Sequence, residues 1–134
     1  MTKAILIDDD KCMVRIFFDY LKHFNVDVIG VAYNGQQAVK LYQELKPDVV
    51  LLDVIMPNYD GFYALENIRK TDSNARVIMV TADLTEETEK KLNELKASAI
   101  VYKPYEIEQL VETIHKVMHG ETVHEPKPIV ELEA

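Results

Sequence analysis

Residues 49–61, VVLLDVIMPNYDG, run four aliphatic side chains into a single aspartate, Asp53, with Pro57 four positions beyond it. A strand with no polar alternation has no solvent face, so it belongs in a parallel sheet covered by helices on both sides. Runs of the same kind recur along the chain: AILI (4–7), VDVIGVA (26–32), RVIMV (76–80) and AIVY (99–102). Segments of helical period separate them. A strand followed by a helix, repeated five times, predicts an α/β sandwich with right-handed crossovers.

The helical segments carry their own signals. In the last, Ile107, Leu110, Val111, Ile114, Val117 and Met118 recur at three- and four-residue steps, with Glu106, Glu108, Glu112 and Lys116 between them; one face turns to the core. The helix before it opens on Thr85 as N-cap, with Glu86 and Glu87 in the first turn at the positive end of the helix dipole. Asn34-Gly35 and Lys46-Pro47 bracket the second helix. In the first, Met13, Val14, Ile16, Phe17, Phe18, Tyr20, Leu21 and Phe24 spread over an arc of roughly 200°, against the roughly 100° a core-facing helix needs. Part of that arc stays exposed, and its Val14–Phe18 edge is a candidate partner contact. After Gly120 the stretch ETVHEPKPIVELEA holds two prolines and four glutamates and no apolar stripe. It reads as a flexible acidic tail, 120–134, behind a folded unit spanning 1–119, and it leaves no length for a second domain.

Composition narrows the function classes. The 134 residues, 48% of them hydrophobic, suffice for one domain with a proper core. With 15 basic against 23 acidic residues, the net charge of −8 disfavours a phosphate backbone as partner, so no nucleic acid is expected. The single cysteine, Cys12, forms no internal disulfide, and no Cys/His cluster has structural-zinc spacing. His115 and His119 stand one turn apart without a third ligand and read as a solvated helix end. No leader and no run near the roughly 20 apolar residues of a membrane span is present, which predicts a cytoplasmic protein with no membrane partner.

In a parallel sheet the loops at the carboxyl ends of the strands form the ligand crevice, so the residues that end strands carry the chemistry. Here they are Asp8, Asp9 and Asp10 after the first strand, Asp53 after the third, Thr81 after the fourth, and Lys103-Pro104 after the fifth. Each alone has a plainer reading. An aspartate after a strand is a turn former or helix cap, a Lys-Pro pair a loop, a terminal threonine a good strand residue. Together they place several carboxylates at one edge, where their mutual repulsion calls for a cation. Oxygen donors without His or Cys suit Mg²⁺, or Mn²⁺. Thr81 and Lys103 add the hydroxyl and the movable charge that hold phosphoryl oxygens during transfer.

The pieces ILIDDDK, VVLLDVIMPNYDG, VIMVTA and VYKPY, in this order between Lys3 and Met118, resemble the receiver domain of two-component response regulators. The resemblance implies a flavodoxin-like (CheY-like) three-layer sandwich with a five-stranded parallel sheet of order 2-1-3-4-5 and five helices. It implies that Asp53 takes a phosphoryl group from the phosphohistidine of a sensor histidine kinase or histidine phosphotransfer protein. Asp8, Asp9, Asp53 and the main-chain carbonyl of Ile55 would ligate Mg²⁺. Thr81 and Lys103 would bind the phosphoryl oxygens, and their movement would reshape the surface around strands four and five for a downstream protein target. Asp53 thus ends its strand because a carboxylate nucleophile has to stand at the sheet edge.

The chain departs from the family pattern at several positions. Ile100, three before Lys103, occupies a place where an aromatic switch residue is usual. Tyr102, next to Lys103, alternates to the opposite face, so the output is expected to move through a loop and the fourth helix. Lys96 stands where a glycine is common. Ile55, two after Asp53, cannot orient a hydrolytic water, which predicts slow self-dephosphorylation, with the acid Asp83 placed to offset it. The expected protein is a single-domain response regulator, a phosphoacceptor rather than a turnover enzyme. Its rivals are a phosphorylation-independent interaction module on the same fold and a dehalogenase-type phosphohydrolase built on the Asp8-x-Asp10 pair.

Overall fold

The computed structural model describes residues 1–129, ordered β1 (Thr2–Ile7), α1 (Lys11–Lys22), β2 (Val26–Ala32), α2 (Gly35–Leu45), β3 (Val49–Asp53), α3 (Gly61–Thr71), β4 (Val77–Thr81), α4 (Glu86–Glu94), β5 (Ala99–Tyr102), α5 (Ile107–Met118) and β6 (Val123–His124). The sheet runs β2-β1-β3-β4-β5-β6, and every pair is parallel. This is the expected flavodoxin-like architecture with one strand more. All five residues of β3 are buried, as its unbroken aliphatic run requires.

Alternation along each strand divides the core in two. Ile5, Ile7, Val50, Leu52, Met79 and Ile100 point to one face, where α2, α3 and α4 cover them with Ala38, Tyr42, Leu65, Ile68 and Leu92. Leu6, Leu51, Ile78, Val80 and Val101 point to the other, under Val14 and Leu21 of α1 and Leu110, Ile114 and Val117 of α5. Each such aliphatic side chain contributes about 1.5–3 kcal/mol by leaving water.

Two expectations need correction. Residues after Gly120 were expected to be a flexible tail, yet Val123 and His124 pair with Ala99 and Ile100 as a sixth strand. The reason lies in β5: without β6 it is a sheet edge with open hydrogen-bonding groups, which a passing segment satisfies without an apolar pattern of its own. Residues 130–134 of that expected tail lie outside the described residues. On α1, Val14 is only 5% exposed and belongs to the core. The exposed apolar part of that helix is instead Ile16, Phe18 and Tyr20.

Candidate functional site at the carboxyl edge of the sheet

The strand ends deliver the acidic residues to one place. β1 and β3 are neighbours in register, with Ile7 opposite Leu52, so Asp8 and Asp53, one residue further along each, stand side by side. Asp8, Asp9 and Asp53 each offer a carboxylate oxygen within 4.8 Å of the others. Asp8 and Asp53 are each 8% exposed, and Asp9 lies on the solvent side. Lys103 follows β5 and reaches back across β4. Its Nζ lies 3.1 Å from Asp53 Oδ2 and 3.6 Å from Asp8 Oδ2. Its own backbone N–H is fixed by donating to the Thr81 carbonyl at 2.8 Å.

Burial of this group has electrostatic consequences. It pushes the Asp8 carboxyl above the usual range; the Asp10 N–H, donating at 3.0 Å, works the other way, Asp53 adds to the rise and Lys103 opposes it. For Lys103 burial disfavours the charge, but Asp53 and Asp8 outweigh it and hold the ammonium above the ordinary lysine range. Tyr105, stacked on Phe17 at 5.8 Å, is raised by burial and by the same two carboxylates. One lysine thus faces several acids, and the hard oxygen donor set left over fits Mg²⁺.

Thr81 is fully buried at the end of β4, one residue beyond Val80, which pairs with Asp53. Its Oγ1 accepts the Asp83 N–H at 3.0 Å. The Asp83 carboxylate in turn accepts the Thr88 hydroxyl at 2.6 Å and the Thr85 N–H at 2.9 Å, and these bonds hold it below the usual carboxylate range. Ile55 stands beside the cluster with its N–H 3.4 Å from Asp53 Oδ1 and its side chain 62% exposed. Ile100 is 1% exposed in the core, and Tyr102 lies opposite Thr81 in the β4–β5 ladder.

Asp10 takes no part in the acidic cluster. Its Oδ1 accepts the N–H groups of Cys12 and Met13 at 3.0 and 3.2 Å, so it caps α1. The second aspartate of the dehalogenase-type alternative thus serves here as a helix cap through its Oδ1. His119 Nδ1 lies 2.6 Å from the His115 carbonyl on the same helix, and both residues are exposed. One positioning residue escaped the sequence reading. A Cβ on Gly61 would overlap the Asp53 carbonyl oxygen and lie 2.7 Å from Val54 Cα, so the start of α3 can lie against the end of β3 only with glycine there. The Gly61 N–H donates to the Val54 carbonyl at 2.8 Å. The signal was the Asp60-Gly61 pair itself, a turn signature.

The family model described as the response regulator receiver domain matches residues 4–115. The chain belongs to that family. Protein CcdB of Bacillus subtilis is 36% identical over 118 residues, 88% of this chain and 98% of that protein. Chemotaxis protein CheY of Thermotoga maritima is 36% identical over 120 residues, 87% and 98% of the two chains. Among solved structures, a CheX–CheY complex with BeF3 and Mg²⁺ from Borrelia burgdorferi superposes with a TM-score of 0.82 at 29% identity, covering 87% of this chain and 88% of that one. The chain is thus a CheY-like response regulator receiver domain, and CheY-like receiver domains are signalling phosphoacceptors rather than turnover enzymes. Receiver domains bind Mg²⁺ in an acidic pocket, and Asp8, Asp9 and Asp53 form one here. Among the described residues no helix is long and apolar enough to cross a membrane.

Proposed function

We infer that Asp53 is the phosphoryl acceptor of a two-component relay. The observation that carries this reading is the contact of Lys103 with both Asp53 and Asp8 at the mouth of the acidic cluster. A carboxylate oxygen of Asp53 attacks the phosphorus of a partner's phosphohistidine. The P–N bond breaks, and the imidazole keeps its electron pair and takes up a proton. Asp8, Asp9, Asp53 and the Ile55 carbonyl would hold Mg²⁺, which when bound neutralises charge on the transferring group. Lys103 is released from its carboxylates to follow the new phosphoryl oxygens, and the Thr81 hydroxyl donates to another. The phosphoryl donor is a sensor histidine kinase or histidine phosphotransfer protein; the exposed Ile16, Phe18 and Tyr20 of α1 offer such a partner an apolar face.

Intact-protein mass after incubation with acetyl phosphate tests this reading. A phosphoryl adduct is expected in the wild type only with Mg²⁺ and is expected to be lost in Asp53→Asn. A second reading, an interaction module indifferent to phosphorylation, draws on Ile100, whose buried aliphatic side chain replaces the usual aromatic switch. It predicts a folded wild type with no adduct under any donor.

A further inference from the structure

The segment after α5 is strapped across one flank of the molecule. Val123 N–H donates to the Ser98 carbonyl at 3.0 Å and Glu125 N–H to the Ile100 carbonyl at 3.2 Å, closing the β5 edge. On the α5 side, the Glu125 carboxylate accepts Thr113 Oγ1 at 2.8 Å and Gln109 Nε2 at 3.3 Å. Thr113 is fully buried, and its hydroxyl proton is shared with the Gln109 carbonyl 2.9 Å away. On the α4 side, Lys127 Nζ lies 2.6 Å from Glu89 and 5.8 Å from the centre of the Tyr102 ring. Residues of one short segment therefore bridge α5, β5 and α4.

Its attachment is specific but thin. Two ladder bonds, one half-exposed ion pair and one carboxylate anchor hold it, each individually weak. Gly120, at φ +88° with nothing within 4 Å of a Cβ position, gives the chain a hinge just before the strap.

The anchor on α4 is wired to the phosphoryl site. Glu89 follows Thr88, whose hydroxyl is bonded to Asp83, whose N–H is bonded to Thr81. Tyr102, beneath Lys127, is the cross-strand partner of Thr81. A Thr81 side chain that turns toward a phosphoryl group on Asp53 gives up the Asp83 amide. The first turn of α4 then loses its tie to β4, and Glu89 shifts relative to Tyr102.

We propose that residues 121–129 are a built-in occupant of the α4–β5–α5 flank, released when Asp53 is phosphorylated, leaving β5 an open edge for a partner's strand. The switch rests on Asp53 being the acceptor. It adds a device in which this chain's own segment competes with the partner for that edge.

Amide hydrogen exchange at Val123 and Glu125 in the full chain tests it, with intact mass read on the same samples. Without donor, both amides are expected to exchange about tenfold or more slowly than an open chain, and to lose most of that protection once acetyl phosphate and Mg²⁺ have formed the adduct. Glu89→Lys and Lys127→Glu are each expected to lower the protection without donor, and the two together to restore it. Amides unprotected from the start would remove the strap. An adduct with protection unchanged would overturn its release and leave the acceptor reading intact. No adduct in folded protein would overturn the acceptor reading and the switch with it.

Discussion

Tyr42 donates its hydroxyl to Asp72 Oδ2 at 2.7 Å, tying α2 to the end of α3. Burial and the Asp72 carboxylate push that phenol up to about 12. In the unfolded chain a tyrosine ionises near 10, so between about pH 10 and 12 the unfolded state has released a proton that the folded state keeps, and stability falls as pH rises. Tyr42→Phe is expected to cost about 1 kcal/mol at neutral pH and to abolish this part of the alkaline loss. Urea unfolding of both proteins across that range checks it; parallel curves would refute the coupling. A second residue-level prediction concerns phosphoryl lifetime. The Ile55 side chain offers a water no polar atom, and Asp83, the expected offset, has its carboxylate engaged by Thr85 and Thr88. Ile55→Asn is therefore expected to shorten the adduct's lifetime about tenfold, the equivalent of about 1.4 kcal/mol or one hydrogen bond to water. Timed mass spectrometry reads it, and a decay as slow as the wild type's would contradict it. The gathering of Asp8, Asp9, Asp53, Thr81 and Lys103 at one sheet edge was legible because each lies at or within two residues of the carboxyl end of a strand. Gly61 was not, because its contribution is the absence of a side chain, visible only once the backbones are seen to touch.

The same contrast holds between elements. β1, β3, β4 and β5 were legible from apolar runs because they are buried on both faces, β2 from its apolar residues even though, at the sheet edge, it leaves Asp27 exposed, and Thr85 was legible as the α4 cap, where its hydroxyl accepts the Thr88 N–H at 3.3 Å. β6 was illegible. Val123 and His124 lie among glutamates and prolines, and what makes them a strand is the open edge of β5, a property of other residues. The turn between α4 and β5 also departs from the expected glycine. Lys96 adopts φ +61° there, and its carbonyl accepts two bonds from Arg69 at 3.1 and 2.7 Å. A side chain in that left-handed region costs roughly 1–2 kcal/mol, part of which glycine's entropy would return. Lys96→Gly is expected to stabilise the protein by about 0.5–1 kcal/mol, read as a higher urea midpoint with unchanged slope. A lower midpoint would mean that the lysine side chain contributes more than its backbone strain costs.

Across the whole molecule, the acidic site sets stability against function. Three carboxylates within 4.8 Å of one another face one lysine, so without metal the fold carries their residual repulsion. Asp9 is the one member of the three on the solvent side. Removing it takes away one like charge and, on the proposed ligand set, one metal donor. Asp9→Ala is therefore expected to be slightly more stable than the wild type without Mg²⁺ and less stable with it. The size follows from mass action. At a metal concentration ten times its dissociation constant, binding to the folded state adds about 1.4 kcal/mol, and for a domain of this size that raises the melting temperature by about 5 °C. Thermal unfolding in chelator and in saturating Mg²⁺ then gives two curves per protein, well separated for the wild type and superimposed for the variant. A variant that kept the full shift would remove Asp9 from the ligand set. A wild type without any shift would mean that the acidic edge is balanced by Lys103 alone.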